Sequence, residues 1–381
     1  MKISIKPQLS FTAKVKDLQG AIQKVLSITS FVDCLDTERQ IAMIVTDGKA
    51  YIAGITPDAF ACVQITTGDE LRDGSLMFDP VIVQGLIKGR DELQISGDKS
   101  NLLMTAIKGK YTAQTELVLL EEADTMRIKA AFEGAKAKKL KSDVIAAIRT
   151  GIKAAELTNF YSDEVILAYV KISDKGVVIE CADNHHVSRY QDKTASKTTL
   201  RFAIPTRTFS LIDRFIGDAD ATFALDGQQL CVRGEGFVVS LPETQVDSEM
   251  FDVVSQYLSG LKNPKTVIKF DPEAMKTVDN MFAITTEDTR MTFDVNAKGV
   301  KVNMTTKSGS VSDSFKANVS GESRSVHIDP RIFNDLFKKV SGKEVPMEFF
   351  GGAKGSSSCF RIVSMQSKSA RLTQIGTFYD E

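Results

Sequence analysis

The chain has 381 residues, 43% hydrophobic and 25% charged, a globular balance in a polypeptide too long for one ordinary core, so two to four domains are expected. Its 48 basic and 49 acidic side chains nearly cancel, so a surface for nucleic acid must come from segregated charge rather than from excess. No apolar run approaches the ~18 residues that a membrane-spanning helix needs.

The opening MKISIKPQLSF alternates like a strand and lacks the uninterrupted apolar core of a secretory signal. Cysteines at 34, 62, 181, 231 and 359 are odd in number, scattered and never at C-x-x-C spacing. They read as buried thiols in a reducing compartment, and the cytoplasm is the expected location.

Most of the chain alternates with period two between Gly, Asn and Asp turns, as in DATFALDG, QQLCVRGEG and FVVSLPE, the pattern of antiparallel sheet. Amphipathic stretches interrupt it. One starts near Asp17, and FDPVIVQGLIKG follows from Phe78, with strands ELQIS, NLLMTAI and KYTAQTEL after it. A third covers 143 to 156, and IPTRTFSLIDRFIG begins at Ile204. FDPEAMKTVDNMF begins at Phe270, with RMTFDV, GVKVNM and VSDSFKANV behind it, and IDPRIFNDLFKKVSG begins at Ile328. In three of these an Asp caps the free first-turn amides and a Pro takes the first helical position, while Gly89, Gly217 and Gly342 suit left-handed helix ends.

Pro80, Pro205 and Pro330 stand 125 residues apart, and the starts near Asp17, Asp143 and Asp271 repeat at nearly the same interval. The spacing predicts an α+β fold of three similar domains, 1–124, 125–253 and 254–381, each built from two strand-helix-strand-strand-strand repeats.

In the helix from 143 to 156, Val144, Ile148, Ile152 and Ala155 form a core stripe, leaving Ala146, Arg149, Thr150 and Lys153 opposite. After Pro205, Phe209, Ile212, Phe215 and Ile216 pack inward while Arg207, Ser210 and Arg214 share the outer line. Arg331, Asn334 and Lys338 repeat that line; Lys24 and Lys88 are the weaker equivalents in the first repeat. One such face is an ordinary solvated surface, but the set together suits phosphate attraction without base reading.

Cys181, Asp183, His185 and His186 crowd one turn, yet neighbours on a strand point to opposite faces and the chain's remaining histidine is His327. A metal site is not expected. GGAKGSSS lacks the order of a phosphate loop and reads as a turn. A β-rich structural or virion assembly protein, or a hydrolase using Asp183 and His185, remain alternatives.

The whole length resembles the bacterial-type sliding clamp, the β subunit of the replicative DNA polymerase. IECADNHHVSRY at 179 to 190 looks like that family's A-T-D-G-H-R-L turn, and IVTDGKAYIAG at 44 to 54 is a related turn. The stretch from LRFAIPTRTFSLIDRFIG to VVSLPETQVDSEMFD follows the family's second-domain helix, last strands and linker.

The resemblance implies a non-enzymatic processivity factor without cofactor or metal. It would be a head-to-tail homodimer encircling double-stranded DNA without sequence specificity, helices lining the hole and sheets outside. The replicative polymerase and an ATP-dependent clamp loader would be its partners. It places a client-peptide pocket at His185, His186, Val187, Phe251, Leu372 and Ile375, and a dimer interface at Lys110, Tyr111, Phe282 and Ile284. Asn184 stands where the family has glycine, His186 where it has arginine, and RLTQIGTFYDE replaces an apolar tail rich in proline and methionine. Client specificity is therefore expected to differ, as in a virus-encoded clamp serving its own polymerase.

Overall fold

The computed structural model describes residues 9–30, 35, 39–68, 71–97, 101–107, 111–116, 138–226, 229–242, 249–283, 285–286, 288–351 and 358–380. The expected repeat recurs six times among them. The first is β1 (Leu9–Lys14), α1 (Val15–Thr29), β2 (Gln40–Thr46), β3 (Lys49–Ile55) and β4 (Phe60–Ile65). The second is β5 (Gly74–Met77), α2 (Pro80–Ile87), β6 (Glu92–Gly97), β7 (Asn101–Ala106) and β8 (Thr112–Glu116). The third is β9 (Lys138–Leu140), α3 (Ser142–Ala155), β10 (Leu167–Ser173), β11 (Gly176–Ala182) and β12 (His186–Asp192). The fourth is β13 (Leu200–Pro205), α4 (Thr206–Ile216), β14 (Ala221–Asp226), β15 (Gln229–Gly234) and β16 (Phe237–Pro242).

A helix with no counterpart in the repeat, α5 (Met250–Gly260), occupies the stretch read from sequence as a linker. The fifth repeat is β17 (Thr266–Phe270), a 3₁₀ turn (Pro272–Met275) running into α6 (Lys276–Phe282), β18 (Arg290–Asn296), β19 (Gly299–Thr306) and β20 (Gly309–Phe315), with a short β21 (Asn318–Gly321). The sixth is β22 (Arg324–Ile328), α7 (Pro330–Phe337), β23 (Val345–Phe350), β24 (Ser358–Met365) and β25 (Ala370–Asp380).

The punctuation follows local chemistry. The Asp79 carboxylate accepts from the Val81 amide at 2.8 Å and the Ile82 amide at 3.2 Å, and Asp329 accepts from the Arg331 amide at 2.7 Å. Each satisfies donors that a first helical turn leaves free. Gly89 and Gly217 end their helices with φ of +73° and +57°. Asp47 and Gly48, at φ +53° and +71°, make the two-residue hairpin between β2 and β3.

The chain divides into two compact units, residues 1–142 with 210–243, and residues 143–209 with 244–381. In the first, β1-β6-β7-β8 form one antiparallel sheet, and β5-β2-β3-β4-β16-β15-β14-β9 form another. The β4–β16 pairing therefore makes one sheet from the first and fourth repeats. In the second unit a 13-stranded sheet follows the path β13-β10-β11-β12-β25-β22-β18-β19-β20, and β12–β25 joins the third and sixth repeats.

Helices press closely on these sheets. A Cβ on Gly54 of β3 would lie 2.8 Å from the Thr29 methyl of α1, and one on Gly151 of α3 would lie 2.5 Å from the Tyr190 ring. Glycine at these two places lets helix and sheet approach. In the second unit, Phe333 of α7 is fully buried among the rings of Phe282, Phe293, Phe337 and Phe360.

Candidate partner groove, helix faces and sheet edges

The helix faces separate as their periodicity predicts. On α3, Val144, Ile148, Ile152 and Ala155 are buried, Ala146, Thr150 and Lys153 are exposed and Arg149 is half-buried. On α4, Phe209, Ile212, Phe215 and Ile216 are buried while Arg207, Ser210 and Arg214 face solvent. Lys24 and Lys88 are exposed on or beside α1 and α2, Lys24 with its ammonium 5.9 Å from the Phe215 ring centre. Lys338 is exposed at the end of α7.

Arg331 departs from this pattern. Its Nη2 lies 2.9 Å from Asp329, its guanidinium sits 5.0 Å over the Tyr161 ring, and its side chain is 21% exposed. Asp329 also accepts the Tyr161 hydroxyl, and these partners hold its carboxyl below the ordinary range although burial acts the other way. Arg331 thus fastens the segment around Tyr161 to the start of α7, leaving Lys338 as the solvent-facing cation there.

The turn between β11 and β12 is organised by Asp183. Its Oδ1 accepts from the His185 and His186 amides at 2.7 and 2.8 Å and lies 2.7 Å from His186 Nδ1. As strand alternation requires, the two histidines diverge: His186 is buried, and His185 packs against Tyr161 with ring centres 4.1 Å apart and planes tilted by 39°. The Asp183–His185 side-chain pair that a hydrolase would use is not formed; Asp183 caps the turn and pairs with His186. Among the described residues no three His, Cys, Asp or Glu side chains converge as a metal site requires.

Burial disfavours a charged His186, but the bond to Asp183 and the field of Asp335, 3.8 Å from Nε2, outweigh it and raise its pKa above the ordinary 6.5. Burial likewise opposes the charged forms of Asp183 and Asp335, and their contacts with His186 still lower both carboxyls. The histidine's contribution is therefore complete below about pH 6.5 and lost as pH rises through the higher folded value; the carboxylates' contribution is present above about pH 4 and lost on acidification. In thermal melts, the wild type is expected to lose stability as pH rises through this range, and His186→Gln is expected to flatten that loss. An unchanged slope above about pH 6.5 would remove His186 from this role.

A cleft of 690 Å³ opens beside this turn, walled by His185, Tyr161, Val165, Ile166 and Tyr169 and by Met250 and Val253 of α5. Phe251 packs edge-on against Tyr169, ring centres 5.5 Å apart. Next to it, Phe350, Cys359 and Ile375 form a buried apolar cluster against which Val187, Leu258 and Leu261 pack. Of the six residues expected in a pocket, His185 lines the cleft, Phe251 backs it, and Val187 and Ile375 belong to the cluster. His186 and Leu372 are enclosed and present almost no surface. Sequence reasoning missed Tyr161, Val165, Ile166, Met250 and Val253; the 3.6-residue period of MFDVVSQYLSG was the available signal for the last two.

Among the strands that end a sheet in the described residues are β8 in the first unit and β20 in the second. The Ala106 amide donates to Tyr111 O, so Tyr111, Ala113 and Thr115 bond toward β7, and the amides of Thr112 and Gln114 point to the free side. Tyr111 is anchored by its hydroxyl to Leu86 O at 2.5 Å and by the Arg90 guanidinium 3.9 Å over its ring. Val81 and Ile82 of α2 and Ile107 are exposed apolar residues in the same repeat, Val81 at 76%. Phe282, at the end of α6, is half-buried against Phe333, while Lys110 and Ile284 lie outside the described residues.

No protein-family model matches the sequence, and no curated protein matches it. Solved structures do match, over almost its full length. The chain is similar to the β subunit of a DNA polymerase from Streptococcus pyogenes, at 12% identity and a TM-score of 0.78, covering 98% of this chain and 100% of that one. It is similar to the DNA polymerase III β chain of Streptococcus pneumoniae at 14% identity, TM-score 0.78, with the same coverage. The DNA polymerase sliding clamp of Bacillus subtilis matches at 15% identity and a TM-score of 0.75, again over 98% of this chain and 100% of that one.

Proposed function

We propose, from a chain that has the sliding-clamp fold, that the protein is one subunit of a ring closed around double-stranded DNA, tethering a replicative polymerase without chemistry of its own. The observation that carries this reading is the sixfold strand-helix-strand-strand-strand repeat in a fold matching solved sliding clamps from end to end. On this reading the repeats pair into domains 1–124, 125–253 and 254–381, and two chains join head to tail. An ATP-dependent loader opens the ring, and both ring and loader act on DNA away from any membrane; no helix among the described residues is long and apolar enough to cross one.

Ring closure would use the open edges. β8 offers outward amides and the exposed Val81, Ile82 and Ile107 nearby; β20 offers an unpaired edge and the exposed Val311. Pairing β8 of one protomer with β20 of the next satisfies both edges, and a head-to-tail contact that closes produces a ring. The cations Lys24, Lys88, Arg149, Lys153, Arg207, Arg214 and Lys338 would guide the duplex weakly.

The test is solution mass. Wild type is expected at twice the chain mass, and Gln114→Pro, which removes an outward amide and the exposed side-chain bond to Asn101 but no backbone bond to β7, at the chain mass. A wild-type monomer at every concentration, or a dimer indifferent to this proline, would overturn closure through β8.

A further inference from the structure

The helix α5 has two apolar faces. Phe251 and Val254 are buried, and Leu258 and Leu261 continue that stripe onto the cluster of Phe350, Cys359 and Ile375. Met250, Val253 and Tyr257, on the adjoining stripe, are 44%, 47% and 44% exposed. At 11 residues, with no side-chain cap at Glu249, the helix is too short to persist alone and depends on its seat.

That seat is polar as well as apolar. Glu180 on β11 is 1% exposed, a costly place for a carboxylate unless its oxygens are satisfied. Lys171 donates to Glu180 at 2.8 Å and to the Phe251 carbonyl of α5 at 2.6 Å. The Ser255 hydroxyl donates to Glu180 Oε1 at 3.1 Å, and Arg189 Nε lies 3.2 Å from the same oxygen. Asp252 adds an outer contact 3.7 Å from Lys171. Over the cluster, the Tyr257 hydroxyl is hydrogen-bonded to Cys359. Four polar ties and two leucines therefore hold a marginal helix over the surface where Val187 and Ile375 meet.

We propose that α5 is a displaceable strap that fills, in cis, the apolar groove of Val187, Phe350, Cys359 and Ile375, so that a peptide with two apolar anchors one helical turn apart gains the groove only by releasing Leu258 and Leu261. The inference rests on reading this groove as a client site and adds what controls it. The bound helix competes at the high effective concentration of a tethered segment. A client's apparent affinity is reduced by the fraction of time the strap is down. The outward stripe of Met250, Val253 and Tyr257 is what the released helix carries with it.

Cys359 reports the strap directly, because burial beneath α5 raises its thiol pKa and limits attack on it. With a maleimide and site-resolved mass spectrometry, wild-type Cys359 is expected to label at least about 10-fold faster than the fully buried Cys181 in the same unit, since local opening precedes unfolding. Ser255→Ala, which loosens the latch and leaves the core intact, is expected to quicken Cys359 and leave Cys181 and Cys62 unchanged. A fluorescent peptide copying residues 250–261 is expected to bind Leu258→Ala/Leu261→Ala about 10-fold or more tighter than wild type. A common labelling rate for Cys359 and Cys181 in wild type and Ser255→Ala, or equal peptide affinity in wild type and the double variant, would overturn the strap. Neither readout involves DNA, so the strap can fail while ring retention stands, and the reverse.

Discussion

On a nicked circular duplex washed with about 1 M salt, the loaded protein is expected to stay bound, and to leave at least about 100-fold faster once the circle is cut. The two states share every protein–phosphate contact and differ only in whether the DNA has an end. At that ionic strength the Debye length is about 3 Å, so the cations of α3 and α4 hold little. Retention then measures topology alone. Equal loss from circle and line would reject the ring, and loss from both at low salt would leave only a weak DNA binder. Removing Arg149, Lys153, Arg207 and Arg214 together is expected to slow loading by about 10-fold at low salt, through lost steering, with mass and retention unchanged. A fall in mass would assign these residues to the fold.

Phe333→Ala is expected to cost about 3–5 kcal/mol and to lower the melting temperature of its unit by about 10 °C. The ring is fully buried, with the centres of Phe293, Phe337, Phe360 and Phe282 at 4.9, 5.6, 6.0 and 6.1 Å. Truncation would open a cavity that α6, β18 and β24 cannot close without moving α7. Because α7 carries Asp335 toward His186 and begins at Asp329, the groove wall should loosen with it. Phe333→Leu keeps most of the volume and is expected to cost about 1–2 kcal/mol. A melting temperature for Phe333→Ala within about 2 °C of wild type would show that this cluster is not the keystone of the unit.

How much of this was legible beforehand can be judged residue by residue. The caps at Asp79 and Asp329, the glycine ends at 89 and 217 and the hairpin at Asp47-Gly48 depend on a few adjacent residues, and each was readable or half-readable. The inward stripes of α3 and α4 follow from a 3.6-residue period and matched residue for residue. The partner groove was less legible. His185 and His186 were separable by strand alternation, but that His186 would be buried against Asp183 and Asp335 depends on α7, which lies far along the chain. Arg331 looked like an outward cation because its helix line is polar; its partner Tyr161 comes from a different repeat. No Asp-Pro pair announces α5, so its stretch reads as linker, although its apolar spacing is present in the sequence.

From the amino-acid order alone came the six-part repeat, the alternation of strands with short capped helices and the division of each helix into an apolar and a polar side. These are periodic or nearest-neighbour properties, so a few consecutive residues suffice to encode them. Only the tertiary structure decided that β4 pairs with β16 and β12 with β25, that Glu180 is buried under Ser255, and that α5 lies in the groove. Those outcomes depend on which distant edges and faces meet. Many strands here have interchangeable local patterns, and the burial that discriminates among partners exists only once the chain has folded.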